Sequence, residues 1–277
     1  MTTRFGVSYR PEWGAELAGQ MDHLDCFEII LEQVDLLEPA LLKRLGARPI
    51  VLHSVSLSAG SAEPLPADRL NHAREVVRAL KPDCFSVHMA VTEVSGLEFS
   101  QLTPVLFTPD NVAALADNLC ALRDHLRTDI LLENIACYFE PWGDGRREWD
   151  MMAEVVERAD CGILLDLNNL HVNSRNLGFA AADFLDGIPV ERVRQVHLAG
   201  FEPLDGLLLD SHGQPTSPEV FALLQALARR TEVAMVIVER DSRIPPLSEI
   251  ITELDEARRA VRRGRAEAKP TSECAPG

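Results

Sequence analysis

Apolar residues in this chain come in short, nearly continuous runs, and each run gives way to a longer segment of helical spacing. The runs are "RFGVSY" (4–9), "CFEIIL" (26–31), "PIVLH" (49–53), "DCFSVHM" (83–89), "DILLEN" (129–134), "CGILLD" (161–166), "VRQVHLA" (193–199) and "AMVIVE" (234–239). A strand with one wet face alternates apolar and polar residues. Runs without alternation suit parallel strands covered on both faces. Between them, "PADRLNHAREVVRALK", "TPDNVAALADNLCALRDHL" and "TSPEVFALLQALARR" carry helix-like apolar stripes. Thr108 and Ser217 are placed to cap two of these helices, each with Pro at the first helical position.

Eight such units in a 277-residue chain are the arithmetic of an α/β fold of the (β/α)8 kind, a TIM barrel built as a single domain. The alternative is an open doubly wound sheet. It calls for a Gly-rich phosphate turn after the first strand, and "GVSYRPEWG" is not one. The barrel is expected to occupy residues 1–262. Residues 263–277, "RGRAEAKPTSECAPG", lack periodicity and read as a disordered tail.

Charge narrows the function. A net charge of -16 leaves few cations to displace counterions from a phosphate backbone, so no nucleic-acid partner is expected. No apolar run is long enough to span a membrane, and "MTTRFGVSYRPEW" lacks a signal peptide's basic-then-apolar pattern, so the expected location is cytoplasmic. The six Cys form no C-x-x-C pair; Cys26, Cys84 and Cys161 adjoin strand runs and read as small buried hydrophobes.

The residues that end the later strands change the picture most. In chain order they are His53, His88, Glu133, Asp166, His197 and Glu239. In a barrel these ends form the C-terminal face, where active sites are built. One His or Glu at a strand end is ordinary; six in succession are not. Converging carboxylates with no Lys or Arg among them repel one another, and a bound multivalent cation resolves the conflict. Carboxylate and neutral imidazole are its natural ligands.

Three further donors join this ring. "LLLDSHG" presents Asp210 and His212 on one side of an extended segment, and Asn169 follows Asp166 by three residues. Nine ligands are too many for one ion with an open position and suit two or three, with Glu133 as a bridge. Asn168, Asn173 and Asp241 are candidates for orienting the ligands or contacting substrate, as is His171. His23, His72 and His125 read as surface residues. The loop "ACYFEPWGDGRREWD" offers Tyr138, Phe139, Trp142, Arg146 and Arg147 as a rim.

The segments "VLHSVSLSAGS", "LLENIACYF", "LLDLNNLHVNSRNLGF", "VHLAG", "LLLDSHG" and "VERDSRIPPLSEI" resemble, in order, those of the multinuclear non-heme iron-dependent oxidative enzymes, the MbnB/TglH-like family. The resemblance runs from about residue 4 to about residue 258. It implies a TIM barrel holding two or three iron ions, Fe(II) or Fe(III), with O2 as co-substrate. It implies oxidation of a Cys, Asp or Asn residue in a ribosomally synthesised precursor peptide, in natural-product biosynthesis. A separate partner protein would grip the leader peptide.

Carried over, His53, His88 and Glu133 would hold one iron; Glu133, Asp166, His197 and Glu239 a second; Asn169, Asp210 and His212 a third. Glu133, Asp166 and His197 would be central to catalysis. The wider barrel superfamily includes endonuclease IV and xylose isomerase-like enzymes, so a zinc- or manganese-dependent hydrolase or isomerase is the alternative. Against the endonuclease pattern Asn169 stands where a His is usual, and an amide oxygen is a weaker donor suited to a labile ion. The chain departs from its relatives at Gln33 and Val34 in "EIILEQV", and at His171, where a Tyr is common.

Overall fold

The computed structural model describes residues 2–140 and 145–268. Its strands are β1 (Arg4–Ser8), β2 (Cys26–Ile30), β3 (Ile50–Ser54), β4 (Phe85–His88), β5 (Ala90–Val94), β6 (Leu97–Pro104), β7 (Ile130–Glu133), β8 (Gly162–Asp166), β9 (Val193–Leu198), β10 (Phe201–Leu204), β11 (Leu207–Asp210) and β12 (Met235–Val238). Eight of them close a parallel barrel in the order β1-β12-β9-β8-β7-β4-β3-β2. Every one of the eight apolar runs supplies one barrel strand, and the fold is a TIM barrel.

The two-residue period of a strand explains how an apolar run can end in chemistry. Val51, Cys84, Leu131, Leu164, Met235 and Ile237 belong to one buried cluster inside the barrel. Two residues after Val51, Leu131, Leu164 and Ile237 stand His53, Glu133, Asp166 and Glu239, on the same inward face. The alternate residues, such as Leu52, Phe85, Leu132, Ile163, Leu165 and Val196, pack outward against the helical shell in the larger core cluster.

Thr108 and Ser217 cap their helices as expected. Thr108 Oγ1 accepts from the Asn111 N–H, Ser217 Oγ from the Val220 N–H, and Pro follows each. Two antiparallel hairpins, β5–β6 and β10–β11, were not legible in the sequence and rise from the C-terminal face. Their turns place Ser95-Gly96 and Asp205-Gly206 at positive φ, the geometry of tight two-residue hairpin loops.

The tail requires a correction. The helix Leu247–Ala268 continues past residue 263. Ala257, Ala260, Val261 and Gly264 form its buried stripe, against the helix Pro218–Arg230. Of the arginines that masked this stripe, Arg259 and Arg263 lie on its outer face and pair with Glu256, while Arg258 packs half-buried over the Phe5 ring and pairs with Asp255. The rest of the expected tail, 269–277 with Cys274, lies outside the described residues. Cys26, Cys84 and Cys161 are buried, and burial pushes their thiols upward. Among the described residues no helix is long and apolar enough to cross a membrane.

Candidate metal centre

The C-terminal ends of the strands bring the expected ring together. Glu133, at the end of β7, faces three imidazoles. His197 Nδ1 lies 2.9 Å from its Oε1, and His88 Nε2 and His53 Nε2 lie 3.3 and 3.6 Å from its Oε2. Glu239 Oε2 stands 3.3 Å from both His197 Nδ1 and His212 Nδ1. His212 Nε2 lies 2.8 Å from Asp210 Oδ1 and 3.7 Å from Asp166 Oδ2. Four overlapping groups have ligand atoms within 4.8 Å of one another: His53, His88 and Glu133; Glu133, Asp166 and His197; Asp166, His212 and Glu239; and Glu28, His197 and Glu239.

Local structure aims these donors. Asp166 caps the helix Leu167–Leu177, its Oδ1 accepting the Asn169 N–H at 2.7 Å, which leaves Oδ2 to face the ring. The Asn169 amide donates to the Asn134 carbonyl at 3.2 Å, which turns its Oδ1 the other way. Asn134 holds β7 to β8, donating to the Asp166 carbonyl and accepting its N–H, each at 2.9 Å. Asn168 donates to Asp210 Oδ1 at 2.7 Å, so it contacts a carboxylate of the ring and not an imidazole.

Whether this set fits metal is decided by what it lacks. Glu133 Oε2, Asp166 Oδ2, Asn169 Oδ1, His197 Nδ1 and both ring nitrogens of His212 are buried and make no hydrogen bond. Orphaned buried polar atoms are costly and rare, and a convergent group of donor atoms is what a cation requires. Electrostatics point the same way. Burial works to raise Glu133, but His197, His88 and His53 outweigh it and hold its carboxyl down to about 2. Burial raises Asp166 to about 8, with Asp210 and Glu133 adding to it against His212. Burial lowers His88 to about 4. Against burial, Glu28, Glu133 and Glu239 lift His197, and Asp210, Asp241 and Glu239 lift His212, well above the usual imidazole range.

Some expectations need correcting. An arginine does stand in the ring: Arg10, buried just beyond β1, lies 3.2 Å from Glu239 Oε1 and also pairs with Asp241. His171 stays out of it. Two residues beyond Asn169 on the same helix, it points about 200° away. It packs half-buried on the Phe201 ring at 5.0 Å, in the β10–β11 hairpin. Asn173 is one turn from the centre and braces the loop after β7 instead. It accepts the Cys137 N–H at 2.6 Å, and donates to the Ile135 carbonyl at 2.8 Å and to Glu148 at 3.2 Å. Asp241 lies 3.2 Å from His212 Nδ1.

Glu28, Gln195, Arg10 and Ser86 were missed. Glu28 Oε2 is 2.8 Å from His197 Nε2, and the Ser86 hydroxyl is 2.8 Å from His53 Nδ1. Reading every second residue backwards from each strand end reaches Gln195 and Ser86, and is the signal that was available.

A cavity of about 400 Å³ opens onto the centre, walled opposite the ligands by Val55, Arg69, Phe99, Gln101 and Leu102. Its floor loop is shaped by Glu32, which accepts from the Ser54 and Ser56 hydroxyls at 2.6 and 2.7 Å. Val34 is buried outside the cavity. On the expected rim, Tyr138 accepts the Asp210 N–H at 3.0 Å, Phe139 is exposed, Arg147 pairs with Glu140, and Arg146 pairs with Glu154. Trp142 lies outside the described residues.

Comparison with known proteins bears on this centre. Residues 4–262 match the model of the family described as RiPP precursor modification enzyme MbnB/TglH/ChrH. A UPF0276 protein of Caulobacter vibrioides is 35% identical over 266 residues, covering 94% of this chain and 95% of that one. One of Acaryochloris marina is 37% identical over 209 residues, 76% of each chain. Among solved structures, D-psicose 3-epimerase of Clostridium cellulolyticum H10 superposes with a TM-score of 0.61 at 10% identity, over 96% of this chain and 100% of that one. A xylose isomerase domain protein of Planctomyces limnophilus gives 0.59 at 14% identity, over 97% and 99%. At these identities the solved structures share the barrel, whereas the family match over residues 4–262 spans every strand that carries a candidate ligand. The chain belongs to the RiPP precursor modification enzyme family MbnB/TglH/ChrH.

Proposed function

We propose that this protein is a multinuclear non-heme iron enzyme that uses O2 to oxidise a Cys, Asp or Asn side chain in a ribosomally synthesised precursor peptide. The observation that carries the reading is the convergent set of orphaned His, carboxylate and amide donors, in a chain of this family. His53, His88 and Glu133 would hold one iron, Glu133, Asp166, His197 and Glu239 another, and Asn169, Asp210 and His212 a third. Bound iron supplies the activation of O2 and the one-electron steps of the oxidation.

The chain's own residues do the rest. Glu133, presenting two oxygens to different imidazoles, would be shared by two of the ions. Phe99, Leu102 and Val55 line the approach and exclude water from the reacting side chain. At about 400 Å³ the cavity is large enough for a peptide side chain and too small for a folded domain. Recognition of the leader peptide by a separate partner protein belongs to the same proposal.

The test is metal analysis of anaerobically purified protein, followed by O2 uptake with the peptide encoded beside its gene. Iron near stoichiometric with the ligand groups, and peptide-dependent O2 uptake, are expected. Stoichiometric zinc or manganese without O2 uptake would overturn the reading in favour of hydrolase or isomerase chemistry on the same barrel.

A further inference from the structure

We infer that Glu28 is a positioning residue, which locks His197 into the one tautomer that leaves Nδ1 bare for a cation. The inference rests on the reading that His197 holds metal. Glu28 sits on β2 level with Val51 of β3, one layer below His53, and is fully buried beneath the ligand ring. Its Oε2 is 2.8 Å from His197 Nε2. The opposite ring nitrogen, Nδ1, faces Glu133 and Glu239 and makes no hydrogen bond.

A neutral imidazole carries one N–H, and a metal takes the other nitrogen. With an acceptor fixed at Nε2, the proton stays there and the Nδ1 lone pair points into the ring. Glu28 is the only acceptor described at that nitrogen. The Gln195 amide nitrogen lies 3.1 Å from His197 Nε2, but it is itself a donor. It donates to the same Glu28 oxygen at 2.6 Å, so Gln195 and His197 converge on one carboxylate. Cys84 Sγ, 3.7 Å from Gln195 Oε1, holds the amide in that orientation.

The ring treats its histidines unequally. His53 Nδ1 is backed by a neutral hydroxyl, Ser86 Oγ at 2.8 Å, and His88 Nδ1 has no partner. Of these three, only His197 is backed by a carboxylate, which makes its imidazole the more basic donor; the fourth, His212, has its own carboxylates, Asp210 at Nε2 and Asp241 at Nδ1. Loss of Glu28 is therefore selective. It weakens the ion on His197 and spares the one on His53 and His88.

Titration of metal-free protein with Co(II) under anaerobic conditions, followed by visible absorption, tests this without reference to turnover or to iron. In Glu28→Gln, one ion is expected to bind about 10- to 100-fold more weakly, with a changed band for that site. The other ions keep wild-type affinity and spectrum. Glu28→Ala falls further than Glu28→Gln, because Gln fills the same volume and retains an acceptor oxygen. Wild-type affinities and spectra in both variants overturn the inference. So does a uniform loss of every ion together with a lowered melting temperature, the mark of a structural role. If Glu28→Ala fails to fold, Glu28→Gln decides alone. A wild-type protein that binds no Co(II) removes the metal reading itself, a result distinct from all of these.

Discussion

Glu133 and Asp166 are both fully buried carboxyls, yet their surroundings push them in opposite directions. Glu133 meets three imidazoles and is held down to about 2; Asp166, beside Asp210 and Glu133, is raised to about 8. Of these two, Glu133 is therefore the one ionised at neutral pH without a cation, which suits it to recruit the first ion. Two of the four ligand groups contain Glu133. Its replacement in Glu133→Gln keeps the volume and removes the charge, and a neutral amide cannot bridge two cations. The expected outcome is loss of the ions it shares, with metal retained only at Asp210 and His212. Elemental analysis of the purified variant measures this, and an unchanged metal-to-protein ratio refutes it. The nine candidate ligands were readable because each ends a strand or follows one within a few residues. Glu28 was not, because it lies in the middle of an apolar run and its partner is 169 residues away. Arg10 escaped for a similar reason: its pairing with Glu239 spans 229 residues and joins the first strand to the last.

At the scale of elements, the barrel strands were legible because burial on both faces writes them as uninterrupted apolar runs. The hairpins were not. β10 and β11 are four residues each with none of them buried, and the β5–β6 pairing shifts register between Val91 and Glu93, so no clean alternation survives. The last helix shows the cost of reading charge before spacing. Its Gly264 sits where a Cβ would lie 2.2 Å from the Gln225 carbonyl oxygen, a rigid backbone atom. Gly264→Ala gains about 1 kcal/mol of helix propensity. It also forces the two helices apart, at a cost of about 1–3 kcal/mol. A net lowering of the melting temperature is expected, with metal content unchanged because the contact is remote from the ring. A rise in stability would show that the helices repack freely. A second element carries a pH signature. Glu148, buried at the start of the helix Glu148–Ala159, is raised to about 8 by burial. A carboxyl with a raised folded pKa contributes stability that is complete below its unfolded value, near 4.5, and is lost as pH rises toward 8. Glu148→Gln keeps an oxygen for the Asn173 amide and removes this dependence. Its advantage over the wild type in denaturant unfolding is expected to grow from pH 5 to pH 8 to about 3–5 kcal/mol, and a constant difference excludes the mechanism.

For the whole molecule, metal and protons compete for one set of atoms. Without metal, His197 and His212 hold their protons well above the usual imidazole range, and Asp166 holds one to about 8. A cation displaces all three, so its affinity rises with pH up to those values. The sign for stability follows from the same shifts. Raised groups stabilise the metal-free fold fully below their unfolded values, near 6.5 for His and 3.8 for Asp, and that contribution fades as pH climbs through the folded values. Glu133 and Glu239 are lowered, so their contribution is present above an unfolded value near 4.5 and is lost only in strong acid. The metal-free barrel is therefore weakened on the alkaline side, where the metal-bound barrel is strongest. Binding to the native state alone raises stability by mass action, and tighter binding raises it more. The melting-temperature difference between metal-loaded and metal-free protein is thus expected to widen steadily from pH 5.5 to pH 8.5. Thermal unfolding of the two forms at fixed free metal measures that gap. A gap independent of pH would mean that the ring carries no exchangeable protons, and that its orphaned nitrogens are bare before any ion arrives.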